Sequence, residues 1–405
     1  MDSYTIERLG HHGDGIADGP VYAPGALPGE VVTGTLDGAV LRDLRIVTPS
    51  ADRVRPPCPH ARSCGGCQVQ HASDGFVAEW KRAVVRTALA AHGLTPDIAL
   101  PVASPPRSRR RATLSGRRTK KGALIGFHAK GSDVIVPIPE CHLLTPALMA
   151  ALPFVETLVA RTGSRKGEVS VQIAASDTGI DLDLRGAKPL DAEAQQELAQ
   201  LASQHGIARI AIEGEPALTL HPPVYRFDGI AVTPPPGAFL QATAEGEAAL
   251  RSAVTGIVGN AARIVDLFAG CGTFALPLAR QAQVHAVEGD AAMVHALQAG
   301  WRQAGGLHAL TAEARDLFRN PVIAADLAGF EAAVIDPPRA GAEAQVVELA
   351  RARVPRIAHV SCNPVTFARD CATLERAGYT MGPVTVVDQF RWSTHVEVVC
   401  GLTLS

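Results

Sequence analysis

The chain carries almost no net charge, no long uninterrupted apolar run and no repeat of fixed period. Its 38 Lys and Arg nearly cancel its 40 Asp and Glu, leaving a formal charge of -2 over 405 residues. A protein that meets polyanions through overall basicity is therefore excluded, and any contact with nucleic acid must be local. The most apolar stretches are interrupted by Asp, Glu, Pro or Arg, so no membrane span is expected. The opening MDSYTIERLG has no basic region followed by an apolar one. A secretory signal is not expected, and the expected compartment is the cytoplasm. Charged residues make up only 19% and hydrophobic residues 47%, a balance that argues against long disorder and for two or three packed domains. With no export signal, the eight cysteines read better as metal ligands or nucleophiles than as a disulfide frame.

Residues 1–50 read as a small β-barrel of the OB type. VYAPGALPGEVVTGTL and VLRDLRIVT carry short β-branched runs between Gly and Pro turns. Loops of such a barrel suit RNA, but a structural extension with no partner fits the composition equally. Residues 51–235 read as a central α+β domain. It opens with a cysteine-rich loop and a helix of about four turns in VAEWKRAVVRTALAAHG, with Trp80, Val84 and Leu89 as apolar positions. Strands such as EVSVQIAAS and IDLDLRG follow, with one clear helix, DAEAQQELAQLASQHG. AVTPPPGAFLQ is a linker, because three consecutive prolines exclude a helix. In residues 236–405 the apolar runs RIVDLF, QVHAVEG, FEAAVID and RIAHVSC alternate with helical segments. That predicts an α/β, doubly wound domain with a mostly parallel sheet, closed by VTVVDQF and THVEVVCG as a possible antiparallel hairpin.

Chemistry enters first through CPHARSCGGCQ, which places Cys58, Cys64 and Cys67 within ten residues, with Cys141 further on in PIPECHLL. Four thiolates suit either zinc or a [4Fe–4S] cluster, and Gly65 and Gly66 let the loop turn tightly around a metal centre. Zinc sites more often use paired C-x2-C knuckles, and only one short pair is present. Structural free thiols are the plainer alternative, as packed or exposed rings are for His60, His71 and His142. The segment RSRRRATLSGRRTKK, residues 107–121, holds eight Arg or Lys and no acid. Such a run is a candidate phosphate-binding surface, or else an ordinary solvated hairpin. Its alternation suggests a strand, so only part of the set would face RNA.

RIVDLFAGCGTFALPLA is a strand, a glycine turn at Gly270 and Gly272, and the start of a helix with free amides. Glu288 closes the next strand, where an acid accepts hydrogen bonds from ribose. A nicotinamide or flavin site is the rival reading. Asp266 opposes it, since an acid there repels pyrophosphate yet suits the cationic amino group of S-adenosylmethionine. Asp316 is either an adenine neighbour or a helix cap. Two further strands end in functional groups: Asp336, Pro337, Pro338 and Arg339 after FEAAVI, and Ser361, Cys362, Asn363 and Pro364 after IAHV. Ligands of open α/β sheets bind at such ends. Cys362 reads as an exposed nucleophile between strand and proline turn, with a buried core thiol as the alternative. Glu397 in the last strand is an acid among apolar residues, and in isolation would face solvent.

DLFAGCGTF, DPPR, SCNP and the late HVE together closely resemble the bacterial uracil-5 RNA methyltransferases of the ribosomal and transfer RNA type, over nearly the whole chain. The resemblance implies a class I methyltransferase fold using S-adenosylmethionine, preceded by an RNA-binding TRAM barrel in shortened form. It implies a [4Fe–4S] cluster on Cys58, Cys64, Cys67 and Cys141. It assigns the nucleophile to Cys362 and the general base to Glu397. Asp336 would hydrogen-bond the target base, and Gln241 and Phe239 would lie near cofactor and substrate. The cofactor set would be Phe239, Gln241, Asp266, Gly270, Gly272, Glu288, Asp316 and Asp336. RNA contacts would come from Arg109, Arg110, Arg111, Arg117, Arg118, Lys120 and Lys121. The cluster together with the barrel points to 23S ribosomal RNA as substrate, with transfer RNA as the alternative, and to a monomer. An oxidoreductase, a non-catalytic iron–sulfur RNA-binding protein and an amino-group methyltransferase are the rivals, and none of them needs both DPPR and SCNP.

Overall fold

A computed structural model describes residues 2–404. Five strands open the chain: β1 (Ser3–Leu9), β2 (Asp14–Ala17), β3 (Val21–Pro24), β4 (Val31–Asp37) and β5 (Val40–Thr48). Their order, β1-β2-β3-β5-β4, returns on itself through β4 and β1, but β3 and β5 meet only at Tyr22 and Val40. Inward residues Ile6, Val21, Val32 and Leu41 supply a small core.

After the cysteine loop comes α1 (Asp74–Ala90), started by Ser73, whose side chain accepts from the Phe76 amide at 3.2 Å. The short β6 (Val102–Ala103) follows. Next come β7 (Arg111–Arg118), β8 (Ala123–His128), β9 (Ile135–Pro137), α2 (Pro146–Thr162), β10 (Val169–Ser176) and β11 (Gly179–Arg185). The central part ends with α3 (Ala192–Gln204), β12 (Ile207–Ile212) and β13 (Glu215–Thr219). Its seven strands form one sheet, β13-β12-β11-β10-β7-β8-β9. This part holds two helices rather than the one expected. In α2 a proline at 153 and apolar residues on several sides hide the helical period.

A hairpin of β14 (Tyr225–Phe227) and β15 (Ile230–Val232) leads to α4 (Ala244–Val258), β16 (Arg263–Leu267), α5 (Ala275–Leu278), β17 (Gln283–Glu288) and α6 (Ala291–Gln303). The chain closes with β18 (Leu310–Ala314), β19 (Ala332–Ile335), α7 (Glu343–Ala352), β20 (Arg356–Ser361), α8 (Pro364–Arg376), β21 (Tyr379–Asp388) and β22 (Glu397–Leu404). The sheet order is β18-β17-β16-β19-β20-β22-β21-β6, reversing direction between β16 and β19. β16 to β20 are parallel, and β21 with β22 forms the expected antiparallel hairpin. β19 reads as an unbroken apolar run, and β16 is buried beyond Arg263, because a hydrophobic cluster packs on each face of the sheet.

Packing crosses the expected boundary at 236. Val85 and Leu89 of α1 pack into the core of the eight-stranded sheet, and β6 forms its edge beside β21. Tyr225, Phe227, Ile230 and Val232 belong to the opposite face of the same sheet. Sequence adjacency to the cysteine loop had suggested otherwise; the side chains bury themselves against the larger sheet. Among the described residues, no helix is long and apolar enough to cross a membrane.

Candidate active site

Strand ends converge at one edge of the eight-stranded sheet. β19 leads into Asp336, and its parallel neighbour β20 leads into Cys362. β22 runs antiparallel beside β20 and begins at Glu397, with Val398 opposite Ser361. β21 pairs Val387 with Glu397, which carries Asp388 and Gln389 to the same edge. The intervening turns are joined as well. Asn363 caps α8 by accepting from the Val365 amide at 3.1 Å, and its Nδ2 donates to Arg339 O at 2.9 Å. Pro364 then opens the helix, at a position whose amide hydrogen is not needed.

This edge resists ionisation. Burial, then Asp336, pushes the Glu397 carboxyl up to about 8, opposed by a hydrogen bond from Gln389 and by Arg111 and Arg339. Asp336, half-exposed by area yet crowded by protein atoms, is lifted by desolvation to about 7. Burial, Glu397 and Asp336 push the half-buried Cys362 thiol up to about 11, with Arg339 pulling the other way. Near neutrality both carboxyls are therefore only partly ionised, and Glu397 titrates in the range where a general base works. Glu397 is only 3% exposed, so the solvent-facing alternative is overturned by the strands that cover it.

The segment before α4 crosses this edge. Gln241 is buried, with its Nε2 3.5 Å from Asp336 Oδ2. Its Oε1 accepts from Gln389 Nε2 at 2.6 Å, and Gln389 Oε1 accepts from the Ala242 amide at 2.7 Å. Phe239 is 55% exposed, with the Arg111 guanidinium 4.3 Å from its ring centre.

At the same sheet edge β16 turns through Phe268, Gly270 and Gly272, all with positive φ. A Cβ on Gly272 would lie 2.8 Å from Leu276 Cγ, whereas one on Gly270 would meet nothing within 4 Å. Packing therefore requires the second glycine, and the first faces open space. Glu288 Oε2 accepts from the Gly270 amide at 2.9 Å, so this acid also braces the turn. Asp266 is wholly buried and neither oxygen has a hydrogen-bond partner in good geometry. Burial, then Asp336, holds its carboxyl well above the usual range, with partial relief from the Ala275 amide. Asp316 accepts from the amides of Phe318 and Arg319 at 3.0 and 3.3 Å, bracing a turn with no helix behind it.

Cys58, Cys64, Cys67 and Cys141 line one cavity with His60, Gly66 and Phe127. Cys64 Sγ accepts from the Gly66 amide at 3.4 Å and Cys141 Sγ from the Leu143 amide at 3.5 Å. Among the described residues, no three His, Cys, Asp or Glu side chains converge as a single metal ion requires. This loop also grips the active-site edge: the Gln68 and Val69 amides donate to Trp392 O at 2.8 and 3.0 Å. Trp392 has a φ of 62°, a left-handed conformation that a bulky residue keeps only when its surroundings impose it.

The basic segment divides. Arg110 is tied to Glu247 of α4 and donates to Gln241 O at 3.1 Å, which engages its guanidinium within the protein. Arg109 lies over Phe390, 5.6 Å from its ring centre, and Arg111 donates to Leu240 O. Arg117, Lys120 and Lys121 are exposed and Arg118 half-exposed at the far end of β7. Three residues were not singled out from sequence: Gln389, Lys81, whose Nζ is buried against Asp388, and Arg339 as an electrostatic partner of Cys362 and Glu397. The polar pair ending the apolar run VTVVDQF was the available signal for Gln389.

Residues 234–405 match the family described as tRNA (Uracil-5-)-methyltransferase. An uncharacterized RNA methyltransferase of Rhizobium meliloti (strain 1021) is 45% identical, over 98% of each chain. A 23S rRNA (uracil(1939)-C(5))-methyltransferase of Shewanella sp. (strain ANA-3) is 32% identical over 98% of this chain and 94% of its own. The solved Pyrococcus abyssi tRNA (uracil-54, C5)-methyltransferase, in complex with S-adenosyl-L-homocysteine, shares the fold at 22% identity, with a TM-score of 0.78 and 99% of each chain covered. The sheet order, the glycine turn and these likenesses lead to one conclusion: the chain belongs to the RNA (uracil-5-)-methyltransferase family, as an S-adenosylmethionine-dependent enzyme of class I fold with accessory β-sheet domains.

Proposed function

We propose that this enzyme makes 5-methyluridine through a covalent bond between Cys362 and carbon 6 of the uracil. The meeting of Cys362, Glu397 and Asp336 at one sheet edge carries the reading. Carbon 5 of uracil is a weak nucleophile. Addition of the Cys362 sulfur to carbon 6, its thiol proton passing to water, moves the electron pair of the 5,6 double bond toward carbon 5 and the carbonyl oxygen at carbon 4. Asp336 hydrogen-bonds the target base and positions it as charge develops there. S-adenosylmethionine, when bound, supplies the methyl group to carbon 5. Glu397 then removes the proton from carbon 5, the double bond reforms, and the carbon–sulfur bond breaks to restore the thiolate. Attack from both faces requires an unstacked uridine.

The open space at Gly270, the braced Glu288 and the buried Asp266, relieved only in part by the Ala275 amide, suit a ligand with a ribose and an ammonium group. The four cysteines around one cavity fit a [4Fe–4S] cluster, which spreads its thiolates over separate irons. With all four ligands supplied by cysteine, the cluster would be structural or RNA-facing rather than catalytic. The opening strands fit a TRAM-like module, and Arg117, Arg118, Lys120 and Lys121 fit phosphate contacts. For the acceptor, the family description moves transfer RNA ahead of the ribosomal RNA expected from sequence. The ribosomal reading keeps the support of the 32% identical Shewanella relative.

The test is to incubate anaerobically purified protein with methyl-labelled S-adenosylmethionine and unmodified transfer or ribosomal RNA separately. 5-Methyluridine in one pool fixes the acceptor. Full turnover by Cys362→Ala would defeat the covalent reading.

A further inference from the structure

Gln389 follows β21 and is 1% exposed, with a side chain lodged between the substrate-facing segment and the last strand. Its amide has a single possible orientation. The Ala242 backbone N–H can only donate, and it points at Oε1 from 2.7 Å. Nε2 therefore faces the other way, toward Gln241 Oε1 at 2.6 Å, and the pairing of Val387 with Glu397 sets the Glu397 carboxyl beside this end of β21. Because the Gln241 oxygen is thus taken, the Gln241 NH2 must turn toward Asp336. The fold makes room for this arrangement. A Cβ at Gly246, in the first turn of α4, would sit 2.6 Å from Gln389 Cβ and 3.3 Å from its Oε1.

We infer that Gln389 is a positioning residue for methyl transfer: one amide aligns the Glu397 carboxylate for the carbon 5 proton and fixes which end of the Gln241 amide faces the substrate. The inference rests on the reading of Glu397 as general base. Its second consequence is electrostatic. Glu397 is faced by Asp336 after β19, Cys362 after β20, Arg339 in the turn beyond, Arg111 at the start of β7 and Gln389. Burial and Asp336 oppose ionisation, and Gln389 supplies the hydrogen bond that favours it. Removing that bond raises the Glu397 value further, so a smaller fraction of the enzyme holds the base form at neutral pH.

The experiment compares wild type, Gln389→Met and Glu397→Gln on two RNAs, both prepared from the acceptor pool that the wild type methylates. Ordinary RNA reports complete turnover. RNA containing 5-fluorouridine reports adduct capture alone, because the fluorine at carbon 5 cannot leave as a proton does. For Gln389→Met, loss of a hydrogen bond to a charged group predicts turnover falling about tenfold or more, with adduct accumulating. Capture on fluorinated RNA should fall much less, which also certifies a folded active site. The pH of half-maximal turnover should move alkaline by about one unit. Wild-type turnover with an unmoved pH midpoint would overturn the inference. So would equal loss of capture and turnover with an unmoved midpoint, since that is the signature of packing alone. Glu397→Gln separates the two levels: if it releases product at the wild-type rate with no accumulated adduct, the reading of the base fails first.

Discussion

Lys81, wholly buried on α1, places its ammonium 2.6 Å from the Asp388 carboxylate at the end of β21. Burial pulls the lysine value down and Asp388 holds it up. Nζ is also 3.3 Å from Phe390 O, so the pair anchors the turn that follows Gln389.

Lys81→Met should therefore destabilise the protein by about 3–5 kcal/mol, the usual consequence of stranding one member of a buried ion pair. Lys81→Met combined with Asp388→Leu should recover most of that loss. Urea unfolding of the two variants checks this; equal stability of Lys81→Met and wild type would show that Asp388 finds another partner.

Stability should fall as pH rises through neutrality. Glu397 and Asp336 have folded values of about 8 and about 7, above their ordinary 4.5 and 3.8. The folded chain prefers their neutral forms. The stability they confer is complete below the ordinary values and is lost as pH climbs through the folded ones. Glu397→Gln should flatten this decline and be more stable than wild type at alkaline pH, while accumulating adduct on RNA. Urea midpoints over the range from about pH 5 to pH 9 supply the comparison.

The basic segment should split by function. Alanine at Lys120 and Lys121 should weaken RNA binding and reduce the salt dependence by about one unit of slope per lost phosphate contact, with thermal stability unchanged. Arg110→Ala should instead lower stability by about 2 kcal/mol, the loss of a charge-assisted hydrogen bond, because the buried Glu247 keeps only its longer contact with Arg251. Binding titrations at several salt concentrations, beside melting curves, distinguish the two classes.

Cys64→Ala should lose iron and sulfide while S-adenosylmethionine affinity is preserved. Amide exchange across Trp392 to His395 should quicken, since Gln68 and Val69 no longer hold the Trp392 carbonyl firmly. Normal iron content in that variant would defeat the cluster assignment. Unchanged exchange would show that the turn stands without the loop.

Much of the active edge was legible because its residues end apolar runs. Asp336 and Cys362 follow fully buried parallel strands, a pattern a sequence displays directly. The strand β18 was not legible: only Leu310 is buried in it, as befits a sheet edge. The role of Arg110 was hidden for another reason. A basic run looks the same whether its partner is a phosphate or Glu247, more than a hundred residues away in the chain. Gln389 shows the same limit, since its partners Ala242 and Gly246 lie on a segment that only the folded chain brings near.

The edge strand β6 and the helix α1 have a practical corollary. A piece of the protein cut at the PPP linker would expose the side of β21 and leave Val85 and Leu89 absent from beneath the sheet. Asp388 would face a hole where an ammonium belongs. The methyltransferase half is thus no interchangeable cassette: grafting it onto a different RNA-binding module would carry over the chemistry only if residues upstream of the central sheet travelled with it.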